Sequence, residues 1–285
     1  MSKSCLIIEG GGMKCAYSAG VLDGLTDDRI NFDECIGVSA GSGNGASFIS
    51  GQRGRNKRFY IDHFKEHTYF GFKNLIKTGS FFDLQYIYGT LTNSDGRDPL
   101  DFDKIMKSKT EFYAVSTDAA SGKPHYFSKD EMTQDDYRAI MASCAIPVLC
   151  KPVEIGGRLY YDGGVSDPIP IRKAIDDGCD KIVLILENPR SFVRRAQKYK
   201  LIYNIALRKY PKTAECISSR HIEYMKTIDM VGRLESEGKV FVFAPSAVYN
   251  ASAGTKDMET LTNLYELGIK DYNDRRNAMF EYLKN

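Results

Sequence analysis

The sequence lacks several patterns that would assign a protein to a narrow class. None of its seven cysteines forms a C-x-x-C pair, which argues against a zinc ribbon or a thioredoxin-type redox site. The apolar run nearest the N-terminus covers only residues 5–8, which is too short for a signal peptide or a membrane span. We therefore expect a cytoplasmic protein with reduced cysteines, whose contact with the inner membrane surface would be peripheral.

The composition excludes further classes. The 285 residues are 42% hydrophobic and 27% charged, without internal repeats or low-complexity tracts, as in ordinary globular domains. Basic residues number 39 and acidic residues 37, so the formal net charge is only +2. Because the net charge is small and no binding motif is present, we expect no nucleic-acid partner.

Short apolar runs alternate with amphipathic patterns along most of the chain. The predicted strands are residues 5–8, 35–38, 112–117, 125–127, 153–155, 159–161 and 181–186, and the predicted helices are 16–25, 45–51, 135–143 and 171–177. This alternation indicates an α/β fold with a mostly parallel sheet. Beyond about residue 190 the patterns are mainly helical, with one strand at 240–243. We expect one domain over residues 1–190 and a mainly helical region over 191–285, either packed on it or forming a second domain.

The clearest candidate for chemistry is a serine between two glycines. Residues 37–41 are GVSAG, directly after a predicted strand and before a helical pattern, which is the context of a nucleophile elbow. Gly37 and Gly41 allow a tight turn around Ser39, and a helix N-terminus favours negative charge at that point. The alternative is a serine with a purely structural role in the turn.

A glycine-rich segment follows the first predicted strand. Residues 9–14 are EGGGMK, so successive backbone N–H groups of Gly10, Gly11, Gly12 and Met13 could cradle an anion, and Lys14 follows them. The anion could be a phosphate or a transient oxyanion. The phosphate-loop pattern G-x-x-x-x-G-K-[ST] is absent, which weakens the first possibility.

Two weaker patterns suggest other ligands. Residues 41–46, GSGNGA, match a relaxed dinucleotide-binding pattern, but Asp62 lies in a helical stretch rather than at a strand end, where a ribose-binding acid belongs. A nucleotide- or anion-binding module without turnover therefore stays an alternative. His63 and His67 are four residues apart on a probable helix, but no third ligand accompanies them, so we expect no metal site.

Asp162 is the candidate partner of Ser39. It ends a predicted strand and precedes Gly163 and Gly164, so it could point into a cleft, although it could equally close a hairpin. A serine hydroxyl needs a base, and Asp162 could serve only within hydrogen-bond reach in a dry site. The order Ser39, Asp162, His221 also matches α/β-hydrolase triads, but His221 lies in a helical pattern.

Three motifs in this order resemble the patatin-like phospholipase family. They are residues 10–14, 37–41 and 162–164, and residues 142–147, ASCAIP, are similar to the family's sequence ahead of the aspartate. The similarity spans residues 5–186. It implies a three-layer α/β/α fold with a mostly parallel central sheet, a catalytic domain over residues 1–190 and the mainly helical C-terminal extension of a bacterial subgroup.

The resemblance also implies a mechanism. The family hydrolyses lipid esters through an acyl-serine and a serine–aspartate dyad without histidine, here Ser39 and Asp162, and needs neither metal nor cofactor. Backbone N–H groups of residues 10–13 would hold the oxyanion. The supporting motif residues would be Lys14, Gly37, Gly41, Gly163 and Gly164. A small-ester hydrolase with a Ser39–Asp162–His221 triad is the alternative.

One position departs from the family pattern. Cys15 stands where the family usually has a glycine after the basic residue. A side chain there would strain the loop if the backbone needed a positive φ, whereas a helical backbone would tolerate a small buried residue. We expect the second case, because the helical pattern begins at Ala16.

Two segments could contact the lipid substrate or a membrane. The stretch from Tyr69 to Tyr88 is rich in aromatic residues, which indicates core packing or, alternatively, an acyl-binding wall or a membrane-facing lid. The stretch from Arg190 to Lys212 contains basic residues and no acidic ones, interleaved with apolar residues. It indicates a solvated helix face or, alternatively, a helix that docks on anionic lipid.

Overall fold

The computed structural model describes residues 2–67 and 69–284, and an eight-stranded sheet lies at its centre. The strands are β1 (Ser4–Ile8), β2 (Glu34–Val38), β3 (Glu111–Asp118), β4 (Pro124–Ser128), β5 (Val153–Ile155), β6 (Arg158–Asp162), β7 (Lys181–Ile185) and β8 (Val240–Phe243). Their order is β5-β6-β3-β2-β1-β7-β8, and β4 pairs with β3 outside this path. The neighbours from β3 to β8 pair in parallel, whereas the pairs that involve β4, β5 or β6 are antiparallel. The predicted mostly parallel sheet is confirmed.

Helices cover both faces of the sheet. They are α1 (Ala16–Asp27), α2 (Ala40–Ile49), α3 (Arg55–Lys57), α4 (His63–Glu66), α5 (Phe72–Thr78), α6 (Leu84–Tyr86), α7 (Phe102–Lys107), α8 (Arg138–Ser143), α9 (Ile171–Asp176), α10 (Lys200–Ala206), α11 (Pro211–Ser236) and α12 (Met258–Lys284). Short 3-10 segments occupy Gly12–Cys15, Lys129–Glu131 and Gly163–Val165, and π-helical segments occupy Arg58–Asp62 and Ile87–Leu91. Across residues 2–67 and 69–284, no helix is both long enough and apolar enough to span a bilayer.

The three-layer arrangement follows from alternation along the central strands. In β1, Leu6 and Ile8 belong to one buried cluster, together with side chains of α1, α2 and α12. Cys5 and Ile7 belong to the cluster on the other face, with side chains of α9 and α11. Because successive side chains of a strand point to opposite faces, a fully apolar strand must be covered on both sides.

Elements beyond residue 190 complete the sheet and contribute to both helical layers. Strand β8 pairs in parallel with β7, and α12 packs along α1. The C-terminal region is mainly helical, as expected. The division into units at about residue 190 stays a prediction.

Two helices begin elsewhere than expected. The second helix was expected over residues 45–51, but α2 starts at Ala40, five residues earlier, although it contains three glycines that disfavour helix. Close packing explains these glycines better than a loop does. A Cβ on Gly41 would lie 2.6 Å from the carbonyl oxygen of Ile8, one on Gly43 would lie 2.7 Å from Tyr88 Oη, and one on Gly45 would lie 3.2 Å from Cys35 Sγ. Helix α8 starts at Arg138 rather than at residue 135. Asp135 has a φ of +65°, which is not helical, and its side chain accepts a hydrogen bond from the N–H of Ser94.

Candidate active site

Ser39 sits in the turn between β2 and α2. Its backbone has φ 54° and ψ −132°, a region that side-chain-bearing residues rarely occupy. The N–H of Ser39 donates to Ser143 Oγ at 2.8 Å, and that hydroxyl donates to the carbonyl of Val115 at 2.6 Å. These bonds hold the strained turn in the strand–turn–helix arrangement of a nucleophile elbow.

The motif glycines are sites of close backbone approach. A Cβ on Gly37 would overlap Ser42 in the first turn of α2, and one on Gly41 would overlap the end of β1. A Cβ on Gly163 would overlap the carbonyl of Val115. The turn at Ser39 and the end of β6 can therefore approach the central strands only where the side chain is a hydrogen atom.

Asp162 lies at the end of β6 and faces Ser39. Its Oδ2 accepts a hydrogen bond from Ser39 Oγ at 2.6 Å, and its Oδ1 accepts one from the N–H of Gly164 at 2.8 Å. Its own backbone is fixed on both sides, since its N–H donates to the Ala145 carbonyl and its carbonyl accepts from Thr117 Oγ1. The two residues are 123 positions apart in sequence.

The environment of Asp162 makes its carboxylate more basic than a free one. The side chain is buried, and burial raises the pKa of Asp162 because it disfavours the charged form. The positive charge of Arg220 and the hydrogen bond from Ser39 act in the opposite direction on this pKa. Asp162 is therefore a better proton acceptor than a free aspartate, while the guanidinium favours its ionised form.

The glycine-rich loop lies after β1, as expected. Gly12 carries the positive φ of this loop, +58°. Within the described residues, the N–H groups of residues 10–12 donate to no protein acceptor, whereas the Met13 N–H donates to the Ala253 carbonyl at 3.1 Å. Three of the four expected oxyanion donors are thus free, and the fourth is occupied by a loop 240 residues later in the chain.

The two residues that follow the loop have structural surroundings. Lys14 Nζ donates to Asn188 Oδ1 at 2.5 Å. Cys15 is buried and has φ −64°, so no positive φ is required at the position where the family usually has glycine. The expectation that Cys15 sits in helical backbone without strain is confirmed.

Two pockets of different character meet at Ser39. The larger one has a volume of about 310 Å³. Its polar and charged lining is Glu9, Lys14, Ser39, Asp162, Asn188, Arg194, Gln197, Tyr203, Arg220 and Ser252. The smaller one, about 60 Å³, is almost entirely apolar and is lined by Met13, Phe59, Tyr60, Tyr69, Phe70, Phe82, Leu84, Ile87, Tyr88, Cys144 and Ile146 beside Ser39 and Ala40. An ester bond at Ser39 would have one apolar and one polar side.

The two lipid-related segments contribute to these pockets and also to the surface. In the aromatic segment, Tyr69 and Tyr88 are buried and line the apolar pocket, whereas Phe72 and Ile76 of α5 are exposed. In the basic segment, α10 places Tyr203 at the polar pocket. The apolar side chains of α10 that face solvent are Leu201, Ile202 and Ile205.

The histidines are not joined to the dyad. Both oxygens of Asp162 are bonded to other groups, and within residues 2–67 and 69–284 no hydrogen bond links His221 to Asp162 or Ser39. His63 Nε2 pairs with Asp98 Oδ2 at 2.9 Å, and the His67 ring lies 3.9 Å from that of Tyr86. These contacts explain the latter two histidines as structural residues.

The dinucleotide interpretation is wrong. Residues 41–46 lie inside α2, not in a loop after a strand, so their N–H groups are mostly used in helical hydrogen bonds. Asp62 is exposed and lies in the π-helical segment. The sequence of residues 41–46 matches the dinucleotide-binding pattern because α2 has glycines where it packs closely on its neighbours.

Sequence reasoning did not single out Arg220 as a site residue and placed Arg194 only within a basic stretch. Both line the polar pocket beside Asp162. Arg220 lies in the long helix α11, whose sequence around this position carries no motif. No local signal in the sequence could have identified it.

Comparison with known proteins assigns the chain to a family. Residues 6–175 match the family described as patatin-like phospholipase. The chain belongs to this family. A second match, described as a domain of unknown function (DUF6363), covers residues 210–284 and includes Arg220.

Relatives agree with this assignment. The chain is 30% identical over 200 residues to the uncharacterized protein YjjU of Escherichia coli K12, over 68% of this chain and 55% of that protein. It is 24% identical over 294 residues to "Lysophospholipase NTE1" of Phaeosphaeria nodorum, over 93% of this chain but 18% of that protein. The crystal structure of VipD from Legionella pneumophila shares the fold, with a TM-score of 0.50 and 12% identity over 100% of this chain and 67% of that one. The chain thus spans about half the length of YjjU.

Proposed function

We propose that this protein is a serine lipid acyl hydrolase of the phospholipase A or lysophospholipase type. The observation that carries the proposal is the 2.6 Å hydrogen bond from Ser39 Oγ to Asp162 Oδ2, at the junction of an apolar and a polar pocket. Membership of the patatin-like phospholipase family and the similarity to a protein named lysophospholipase support it.

The reaction starts with a proton transfer within the dyad. Ser39 Oγ attacks the ester carbonyl carbon while Asp162 accepts the hydroxyl proton, and the same proton then passes to the departing alcohol. A free aspartate, with a pKa near 3.9, is a weak base for this purpose. The burial that raises the pKa of Asp162 brings it closer to the range in which general bases work well.

The glycine loop stabilises the negative charge that develops on the carbonyl oxygen. The N–H groups of residues 10–12 are the free donors, and each such donor typically contributes about 3 kcal/mol to transition-state stabilisation. Met13 joins them only if its bond to Ala253 opens. A water molecule, deprotonated by Asp162, then attacks the acyl-serine, and Ser39 regains its proton as the carboxylic acid leaves.

The two pockets bind different parts of the substrate. The apolar pocket receives the acyl chain, and its small volume admits only the carbons next to the ester unless the surrounding aromatic rings move apart. The polar pocket receives the alcohol side. The exposed apolar residues of α5 and α10 belong to segments that also line these pockets, which supports peripheral contact with a membrane surface.

Labelling with a fluorophosphonate tests the proposal, because the reagent phosphonylates only an activated serine and releases fluoride. We expect one adduct by intact mass on the wild type and none on Ser39→Ala. The labelling rate of Asp162→Asn should fall about 100-fold or more, the usual contribution of a general base. Ser50→Ala, which removes another buried hydroxyl near the end of α2, is the matched control and should label like the wild type.

Two outcomes would overturn the proposal. Folded wild type that forms no adduct, with or without lipid vesicles, would favour a binding module without turnover. Loss of labelling in His221→Ala, with an unchanged fold, would replace the dyad by a triad that includes this histidine.

A further inference from the structure

The polar pocket carries more positive than negative side chains. Three cations, Lys14, Arg194 and Arg220, face two carboxylates, Glu9 and Asp162. Both carboxylates already have partners. Glu9 accepts hydrogen bonds from Tyr224 Oη at 2.9 Å and from the N–H of residue 187 at 2.7 Å, and Asp162 accepts from Ser39 and from the following turn.

A nearby acid does not balance this charge. Glu187 lies directly under the glycine loop, with both side-chain oxygens buried and without a hydrogen-bond partner in the described part of the chain. Burial, together with the charge of Glu9, raises the pKa of Glu187 to about 8. It therefore carries less negative charge at neutral pH than an exposed glutamate would.

The two arginines are half-buried and have no partner among the described side chains and backbone groups. Arg190, in the same basic stretch, pairs with Glu235, whereas among residues 2–67 and 69–284 neither Arg194 nor Arg220 has a hydrogen bond or an ion pair. The Nε of each is buried without a partner. Because neither guanidinium has an acceptor among the described residues and both line the polar pocket, an anion bound there would supply the hydrogen bonds that the protein does not.

Both guanidiniums are held in place by other means. The Arg194 guanidinium carbon lies 4.3 Å from the ring centre of Tyr224. Arg220 packs beside the turn after Asp162, where a Cβ on Gly164 would lie 2.8 Å from its Nη2. Burial, with the neighbouring charge of Arg194, lowers the pKa of Arg220 to about 10. Two like charges so placed are prearranged for one shared anion.

We propose that Arg194 and Arg220 bind the phosphate group of an acyl-ester substrate beside the Ser39–Asp162 dyad. This inference rests on the proposed function and narrows its substrates to phosphate-bearing esters. A guanidinium presents a planar fork of N–H donors that matches phosphate oxygens. Two guanidiniums supply two positive charges, which balance the two negative charges of a phosphate monoester. Because Arg220 lies in the region of unknown function, that region would contribute substrate specificity.

A matched pair of substrates tests the subsite. We would compare 1-acyl-glycerol-3-phosphate with 1-acyl-glycerol of the same chain length, using kcat/KM. The wild type should prefer the phosphate ester, and this preference should fall about tenfold or more in Arg194→Gln and in Arg220→Gln, as expected for a lost charge-assisted bond. Arg233→Gln removes an exposed charge from the same helix and should keep the wild-type preference.

The preference ratio is used because Arg220 also acts on Asp162, so absolute rates would mix two effects. Equal kcat/KM for the two substrates in the wild type, or an unchanged ratio in both variants, would overturn the proposal. A wild type that hydrolyses neither substrate and is not labelled by the fluorophosphonate would instead count against the proposed function.

Inorganic phosphate provides a test that needs no turnover. We expect it to raise the Tm of the wild type and of Arg233→Gln but not that of Arg194→Gln or Arg220→Gln, because the pocket variants lack the anion's partners. Without phosphate, the Tm of the pocket variants should stay close to that of the wild type, since neither side chain removed makes a hydrogen bond or an ion pair within the described residues. Phosphate binding without a substrate preference would limit the site to free phosphate, and a large loss of stability in both variants would indicate structural arginines.

Discussion

Two opposing effects of its surroundings set the pKa of Asp162. Burial holds its pKa up, and the positive charge of Arg220 holds it down. The balance matters because only the ionised carboxylate can accept the proton of Ser39. The arginine thus acts on the dyad through charge alone, without a hydrogen bond to either member within the described residues.

The pH dependence of hydrolysis should report this balance. The proposed mechanism requires deprotonated Asp162. Activity should therefore decrease as the pH falls through the pKa of this group, and the acid limb should lie above the value of about 3.9 for a free aspartate. Arg220→Gln should shift the limb to higher pH, because a lost positive charge raises the pKa further. The measurement is kcat/KM for a neutral ester against pH, with Arg233→Gln as the control. A limb that stays in place or moves to lower pH would contradict this account.

The motifs at Ser39 and Asp162 were visible in the sequence because each needs glycines at fixed neighbouring positions. The resemblance also led us to expect contact between the two residues, and the hydrogen bond is present. The bond from Met13 to Ala253 could not be foreseen, since it depends on a loop far away in the chain. The same holds for Arg220, which reaches the pocket only through the packing of α11.

Helices α1 and α12 form the closest helix pair in the layer beside the apolar pocket. A Cβ on Gly20 of α1 would lie 3.0 Å from the Cα of Gly268 of α12, and the reverse holds as well. Tyrosine–aspartate hydrogen bonds join the helices along their length. The glycine pair allows the two backbones to touch, which brings these side chains within bonding distance.

Gly268→Ala should therefore destabilise the protein even though alanine favours helix. We expect a loss of about 2 kcal/mol or more in the free energy of unfolding, because the added methyl group would force the helices apart. Gly232→Ala is the matched control in α11, where a Cβ meets nothing within 4 Å. It should be neutral or stabilise by up to about 1 kcal/mol. Denaturant unfolding of both variants measures the difference, and equal effects would refute the close-packing argument.

Most strands could be predicted because their apolar runs are short and bounded by turns, and β8 has the bounds expected from the sequence. The start of α2 could not, since its glycines indicate a loop by propensity alone. The sequence also did not show which side chains of α10 face solvent. Leu201 is 72% exposed, whereas Tyr203 packs against a buried cluster.

On the scale of the whole molecule, exposed apolar side chains are associated with the segments that line the two pockets. Ile76 of α5 is 87% exposed, and α10 exposes three aliphatic residues within the basic stretch from Arg190 to Lys212. Such a surface suits an anionic bilayer, which offers burial for the apolar groups and negative charge for the basic ones.

Co-sedimentation with phosphatidylglycerol vesicles tests this orientation. Ile76→Asp and Ile202→Asp should each weaken binding about tenfold, the effect of losing one inserted side chain. Ile175→Asp changes an exposed isoleucine of α9 on a different part of the surface and should bind like the wild type. Unchanged binding in both test variants, or an equal loss in the control, would argue against insertion through α5 and α10.

The pairing of α1 with α12 also bears on how the chain is made. Helix α12, the partner of α1, and strand β8, the neighbour of β7, are synthesised after the elements that they cover. Until then, an apolar helix face and a sheet edge stay open to other molecules. The nascent chain therefore exposes both surfaces during the interval between the synthesis of α1 and that of α12.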